Sequence, residues 1–207
     1  MSLSYQAFVS FSPTTYGNVL SRDRIVEHKI RPLWPDMPRI SGPAYPVQLA
    51  PGDNLMMHVA IHEAPRGAVL VVDACDSDFA VAGGNMCAVA QRRGIAAFVV
   101  DGVVRDLAEL RDLRFPVFAR GVMPIPGAKQ FYSAPGTPVR CGGVLVESDD
   151  IVIADEEGIV VVREADADNV IQGASARATK EAGETLAEWE TAHRDRTDRL
   201  MREAKAR

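Results

Sequence analysis

Cysteine is scarce in this chain, and the three that occur, Cys75, Cys87 and Cys141, show no CxxC spacing. An odd number without that spacing argues against a disulfide framework and a structural zinc site, and suits reduced thiols in the cytoplasm. No apolar run approaches the roughly eighteen residues of a membrane span. The opening residues, MSLSYQAFVSF, show no basic segment followed by an apolar stretch, so no signal peptide is expected. Positive charge is also short: 23 Lys and Arg stand against 28 Asp and Glu, a net charge of -5, with no basic patch. An acidic surface repels phosphate backbones, so neither nucleic acid nor membrane is an expected partner. Lysine occurs only at Lys29, Lys129, Lys180 and Lys205, none inside an apolar strand where a Schiff-base amine would be desolvated. No GxGxxG follows a strand, and no GxSxG elbow or P-loop occurs, so Rossmann-style nicotinamide or S-adenosylmethionine binding lacks its signature. What remains is ordinary globular usage, 47% hydrophobic and 25% charged over 207 residues, enough for one large domain with a full core.

The middle of the chain alternates strand and helix signals. A helix is expected near residues 21–31, and a strand from Ile40. A helix follows from Asp53, its N-cap, to just before Pro65, with Leu55, Val59 and Ala60 at helical spacing. AVLVVD from Ala68 and AAFVVD from Ala96 are short apolar runs ending in an acid, the pattern of buried parallel strands. Between them, Gly83 and Gly84 open a helix that Gly94 closes. Residues 117–119 and 142–146 read as strands, and residues 151–154 and 159–162 flank the hairpin-like turn DEEG. Residues 165–207 are helical and heavily charged. The expectation is an α/β domain with a β-rich half over residues 1–170 and a helical tail over 171–207 that lies on a neighbouring subunit.

Two constellations carry chemistry. Gly83-Gly84-Asn85-Met86 places two glycines at a helix N-terminus, where free N–H groups favour an anion; the bland alternative is a tight turn needing positive φ. Arg105-Asp106 follows a buried strand expected to run out at Asp101-Gly102, where α/β folds bind ligands. Arg offers a planar fork for a carboxylate or carbonyl oxygen, and Asp a hard oxygen for Mg²⁺ or Mn²⁺. The alternative is a surface Arg with Asp106 capping the next helix. His58 and His62 have metal-pair spacing but lack the HExxH order and a third ligand. Asp73, Asp76 and Asp78 form a carboxylate-rich loop before the glycines, and Cys87 is read as packing.

GDNL near Gly52, the glycine-led helix ending in RRG, FVVDGVVRD, PVFARG, PIPG, RCGGVLV and DDIVIADEEGIVVV follow one another in that order over about residues 38–165. In these motifs and their spacing the sequence resembles the RraA-like family. The family includes class II 4-hydroxy-4-methyl-2-oxoglutarate / 4-carboxy-4-hydroxy-2-oxoadipate aldolases. The resemblance implies an α/β/β swivelling-domain fold, homotrimers or hexamers with sites at subunit interfaces, and a cytoplasmic, magnesium-dependent lyase acting on 2-oxo acids with a pyruvate half. Residue by residue, it puts pyruvate binding on the backbone of Gly83, Gly84, Asn85 and Met86, enolate stabilisation on Arg105, and the metal, Mg²⁺ or else Mn²⁺, on Asp106. Glu181 or Glu184 is the candidate for a glutamate reaching a neighbour's site. The alternative it implies is a non-catalytic regulator like the RraA inhibitor of ribonuclease E, which typically lacks the aspartate of the Arg-Asp pair.

One position departs from the aldolases, which carry an acid twenty-one residues before the arginine where this chain has Gly84. Retro-aldol cleavage must remove a hydroxyl proton and so needs a base, whereas oxaloacetate decarboxylation needs only charge stabilisation of the enolate. On sequence alone, decarboxylation is therefore expected to exceed aldol cleavage. Gly84→Asp is expected to raise the latter, unless a loop acid such as Asp76 or Asp78 already serves.

Overall fold

A computed structural model of the chain describes residues 5–206. The first four residues of the stretch read for a signal peptide, and Arg207 of the tail, lie outside the described residues. Two short helices, α1 (Tyr5–Phe8) and α2 (Pro13–Gly17), precede β1 (Arg31–Pro32). The alternating section follows: β2 (Ile40–Gln48), α3 (Leu55–Glu63), β3 (Val69–Asp73), α4 (Gly84–Arg93), β4 (Ala97–Val104), α5 (Leu107–Leu113) and β5 (Val117–Val122). Then come two hairpins, β6 (Val139–Cys141) with β7 (Val144–Val146), and β8 (Ile151–Asp155) with β9 (Gly158–Val162). Helices α6 (Ala167–Ala182) and α7 (Leu186–Lys205) end the chain.

The seven-stranded sheet runs β1-β5-β4-β3-β2-β8-β9. Strands β2 to β5 are parallel, while β1, β8 and β9 are antiparallel to their neighbours. The nine-residue β2 serves both halves: residues 40–43 pair with β8 and residues 44–48 with β3. Gly42 stands at that crossing, where a Cβ would collide with the Gly67 carbonyl. The sheet curls into a nearly closed barrel, and Ile25 bridges to Val160 near its seam.

Alternation along the strands builds the layers. Leu70, Val72, Phe98 and Val100 face α3, α4 and α5, meeting Met57, Cys87 and Leu110. Val69, Val71, Val99 and Phe118 point into the barrel against Val152, Val161 and the β6–β7 hairpin. The other faces of β8 and β9 are covered by Phe8, Tyr16 and α6. This is the α/β/β layering expected from the resemblance. Burial on both faces is why these strands read as continuous apolar runs.

Local expectations over residues 21–31 and at α3 are corrected. Residues 21–31 form a 3₁₀ turn, Arg22–Arg24, followed by extended chain, because Val26 and Ile30 are drawn into the barrel. The buried side of α3 is Met56, Met57, Ala60 and Ile61, while Leu55 and Val59 are half-buried. Its N-cap is Asn54 rather than Asp53, although Asp53 still accepts the Leu55 N–H at 2.8 Å. Helix α6 begins inside the domain, burying Val170 and Ala174, and continues across residue 170. Helix α7 buries nothing within the chain and starts at a Thr185/Glu188 capping box.

Candidate active site

Strand β4 continues past Asp101 to Val104, with its register against β5 shifting between Val100 and Val103. The expected end at Asp101-Gly102 is thus corrected. Asp101 pairs with Arg120 and accepts the Gly142 N–H at 2.6 Å, a bond that ties the β6–β7 hairpin to the sheet. The segment before α4 runs beside the end of β4: Val81 N–H donates to Val103 at 3.0 Å and Arg105 N–H to Ala82 at 2.9 Å. That places the N-terminus of α4 directly against Arg105 and Asp106.

Asp106 adopts φ 61° and ψ 42°, a left-handed conformation that Asp and Asn tolerate better than other side chains. Its carboxylate makes no capping bond to α5. Instead Oδ2 accepts the Gly84 N–H at 3.1 Å and lies 3.3 Å from Arg105 Nε. Oδ1 has no protein partner among the described residues. Gly83 is extended, at φ -154°, so the positive-φ alternative for this glycine fails. Its hydrogen is required by close approach: a Cβ there would strike Asp106 Oδ2 and come within 3.0 Å of Arg105 Cγ. The N–H groups of Asn85 and Met86, in the first turn of α4, have no carbonyl four residues back within the helix.

These residues open onto a cavity of about 200 Å³. Gly83, Asn85, Met86, Arg105 and Asp106 form one wall; Asn54, His58 and Lys129 stand among the other lining residues. Of the glycine-led segment and the Arg-Asp pair, only Gly84 lies behind the surface. Asn54 is 4% exposed and its side-chain oxygen has no hydrogen-bond partner. Burial first, then the Lys129 cation and His62, hold the His58 imidazole below its ordinary value. The Lys129 loop is clasped to α3: Asn54 N–H donates to Ala128 at 2.8 Å, and Gln130 N–H to Asp53 Oδ2 at 2.6 Å. Burial works to raise the Asp53 carboxyl, but the N–H groups of Leu55 and Gln130 hold it below the usual carboxylate range.

The other candidates lie elsewhere. Asp76 accepts the Gly52 N–H at 2.5 Å and the Asp78 N–H at 3.0 Å, so the acidic loop is held by its own turn bonds. His62 is exposed, and no three His, Cys, Asp or Glu side chains cluster as a metal site among the described residues. Cys87 is buried in the core. Glu181 and Glu184 line an exposed groove between α6 and α7, where Glu181 pairs with Arg177 at 2.6 Å. Sequence reading missed the functional placement of Asn54 and Lys129. The one local signal was that Lys129 follows PIPG almost directly.

An Arg-Asp pair beyond a parallel strand, set against a helix N-terminus on one wall of a small cavity, is the candidate site of this α/β/β domain. Residues 14–161 match the model of the RraA-like family, described as aldolase/RraA, and the chain belongs to that family. A Halalkalibacterium halodurans protein provisionally named 4-hydroxy-4-methyl-2-oxoglutarate aldolase is 39% identical over 137 residues, 66% of this chain and 65% of that protein. The chain thus spans just under two thirds of that relative's length. An Alkalilimnicola ehrlichii protein with the same provisional name is 38% identical over 126 residues, 60% of this chain and 78% of the relative. In structure, a Streptomyces coelicolor protein described as an unusual member of the RNase ES inhibitor RraA family matches with a TM-score of 0.77 and 29% identity. That match covers 86% of this chain and 93% of the other.

Proposed function

We propose that the chain is a carbon–carbon lyase that releases pyruvate from 2-oxo acids, by decarboxylation of oxaloacetate-type substrates or retro-aldol cleavage of 4-hydroxy-4-methyl-2-oxoglutarate-like ones. The observation that carries this reading is the Arg105–Asp106 pair set against the N-terminus of α4 in one cavity. The N–H groups of Asn85 and Met86 receive the substrate's C1 carboxylate. Arg105, its side chain 41% exposed and its Nε 3.3 Å from Asp106, donates to the C2 oxygen as charge gathers there during C3–C4 cleavage. Lys129, on the facing loop, meets a second carboxylate.

The donor set fits a hard divalent cation. Asp106 Oδ1 is without a protein partner among the described residues and the Asn54 oxygen is orphaned, both hard oxygens of the kind Mg²⁺ takes alongside waters; Mn²⁺ is the alternative. Asp106 would hold it, and when bound it supplies Lewis-acid polarisation of the 2-oxo group. The three unpaired thiols suit a reducing, cytoplasmic compartment. No helix among the described residues is long and apolar enough to cross a membrane.

With Mg²⁺, the purified protein is expected to release pyruvate from oxaloacetate in a coupled lactate dehydrogenase assay, and EDTA to abolish the release reversibly. No pyruvate from either substrate class, with Mg²⁺ or Mn²⁺, would leave the second reading. That reading, a non-catalytic regulator binding a ribonuclease, is favoured by the likeness to the Streptomyces protein.

Assembly belongs to the same proposal. Helix α7 buries no residue, and it exposes Leu186, Trp189, Leu200 and Met201. Docked on another copy in a homotrimer or hexamer, it would cover these and bring Glu181 or Glu184 toward a neighbour's cavity. Light scattering is expected to give a mass three or six times 22.4 kDa, falling when residues 184–207 are deleted. A monomer at micromolar concentration would refute the assembly.

A further inference from the structure

Retro-aldol cleavage needs a base for the substrate's C4 hydroxyl. Position 84 cannot supply it. Gly84 lies behind the cavity surface, and a Cβ on it would come within 2.9 Å of the Glu109 Cβ. Gly84→Asp is therefore not expected to raise aldol cleavage, in place of the gain expected from sequence. The base must stand on the cavity wall itself. At about 200 Å³ the cavity is smaller than the ~300 Å³ at which sites for drug-sized ligands begin, so a substrate that fills it touches every side. Four of the lining side chains are ionisable: His58, Arg105, Asp106 and Lys129. Arg105 and Lys129 offer donors and no acceptor. Asp106 Oδ2 accepts the Gly84 N–H and lies against Arg105, and Oδ1 is the oxygen offered to a cation. The nearby acids Asp53 and Asp76 are outside the lining and hold backbone N–H groups.

His58 remains. It stands one turn of α3 beyond Asn54, half-buried in the wall, with its backbone N–H donating to the Asn54 carbonyl at 3.3 Å. Its ring makes no hydrogen bond or ion pair among the described residues. Burial first, then the Lys129 cation and His62, hold the imidazole below its ordinary value. Near neutral pH the ring is thus uncharged, with one nitrogen free to accept a proton. We propose that His58 is the general base for retro-aldol cleavage in this cavity, an assignment that rests on the lyase reading above. Its unprotonated ring nitrogen takes the proton of the substrate's C4 hydroxyl, and the O–H electron pair forms the new C4 carbonyl. The C3–C4 bond breaks, leaving its electron pair on C3 and, by delocalisation, on the C2 oxygen facing Arg105. The imidazolium then returns the proton to C3, giving the methyl group of pyruvate and regenerating the neutral ring. Decarboxylation of oxaloacetate has no hydroxyl proton to remove.

The test uses the full chain with Mg²⁺ and both substrates. His58→Ala removes the ring, and His58→Gln keeps a polar side chain that cannot relay a proton. Both are expected to lower kcat for 4-hydroxy-4-methyl-2-oxoglutarate by about 100- to 10,000-fold, and to cost oxaloacetate decarboxylation far less. A second readout needs no hydroxy acid. In D₂O with Mg²⁺ and pyruvate, the wild type is expected to exchange the methyl protons, the last step run backwards, and NMR should show that exchange lost in both variants. Melting temperatures and the calorimetric affinity for Mn²⁺ are expected to stay at the wild-type values, since His58 holds no other group. Equal losses on both substrates would mark His58 as structural, and a lost Mn²⁺ affinity would make it a metal ligand. Full aldol cleavage or full methyl exchange in His58→Gln would remove its role. Any of these overturns the assignment, as does a wild type that decarboxylates oxaloacetate but leaves the hydroxy acid intact. A wild type silent on both substrates overturns the lyase reading itself, and the assignment with it.

Discussion

Arg105→Ala is expected to lower kcat/KM for pyruvate release about a thousandfold, on the order of 4 kcal/mol of transition-state stabilisation. The guanidinium is the cationic donor beside the helix N-terminus where charge develops, and it is held there by Asp106 at 3.3 Å. Arg105→Lys keeps the charge and loses the planar fork, so activity should recover only in part. Stability should change little, because the Arg105–Asp106 pair is partly exposed and such pairs contribute about 0–1 kcal/mol. Asp106 also keeps its bond from the Gly84 N–H. Steady-state kinetics on oxaloacetate with a melting curve for each variant check this. A variant with wild-type kcat/KM would remove Arg105 from the chemistry.

Asp106→Asn is expected to abolish magnesium-dependent turnover while preserving the melting temperature. The amide is isosteric, accepts the Gly84 N–H as the carboxylate does, and tolerates φ 61°. What it lacks is the negative charge that a hard cation requires. Asp106→Ala, the natural choice from sequence, is less informative, because Ala in a left-handed conformation costs about 1–2 kcal/mol and mixes backbone strain with charge loss. Calorimetric titration with Mn²⁺ gives a readout independent of turnover. Full magnesium-dependent activity in Asp106→Asn would sink the metal assignment.

The strand-helix alternation was legible because buried parallel strands must be short apolar runs, and because Gly94 closes α4 in the left-handed conformation that glycine adopts freely. The Arg105-Asp106 pair was legible because its two members are adjacent and follow such a strand. The end of β4 was misplaced by three residues, since Asp101 looks like a strand terminus. Its charge is in fact neutralised inside the fold by Arg120, nineteen residues away. Residues 21–31 were misread as helix because their apolar residues are recruited by the barrel rather than by a local periodicity.

The site divides along the same line. Sequence by itself determined what depends on chain neighbours: the glycine-led start of α4, the Arg-Asp pair, and the resemblance those motifs carry. Only the tertiary structure decided which distant groups share the cavity. Lys129 reaches it because Asp53 clasps its loop to α3, and Asn54 because the same clasp buries the start of that helix. Glu109 lies over Gly84 because α4 and α5 pack side by side at the ends of β3 and β4. A missing side chain is visible in a sequence as a glycine, but what fills its volume depends on backbones separated by some twenty residues approaching within van der Waals contact. No local periodicity encodes that approach.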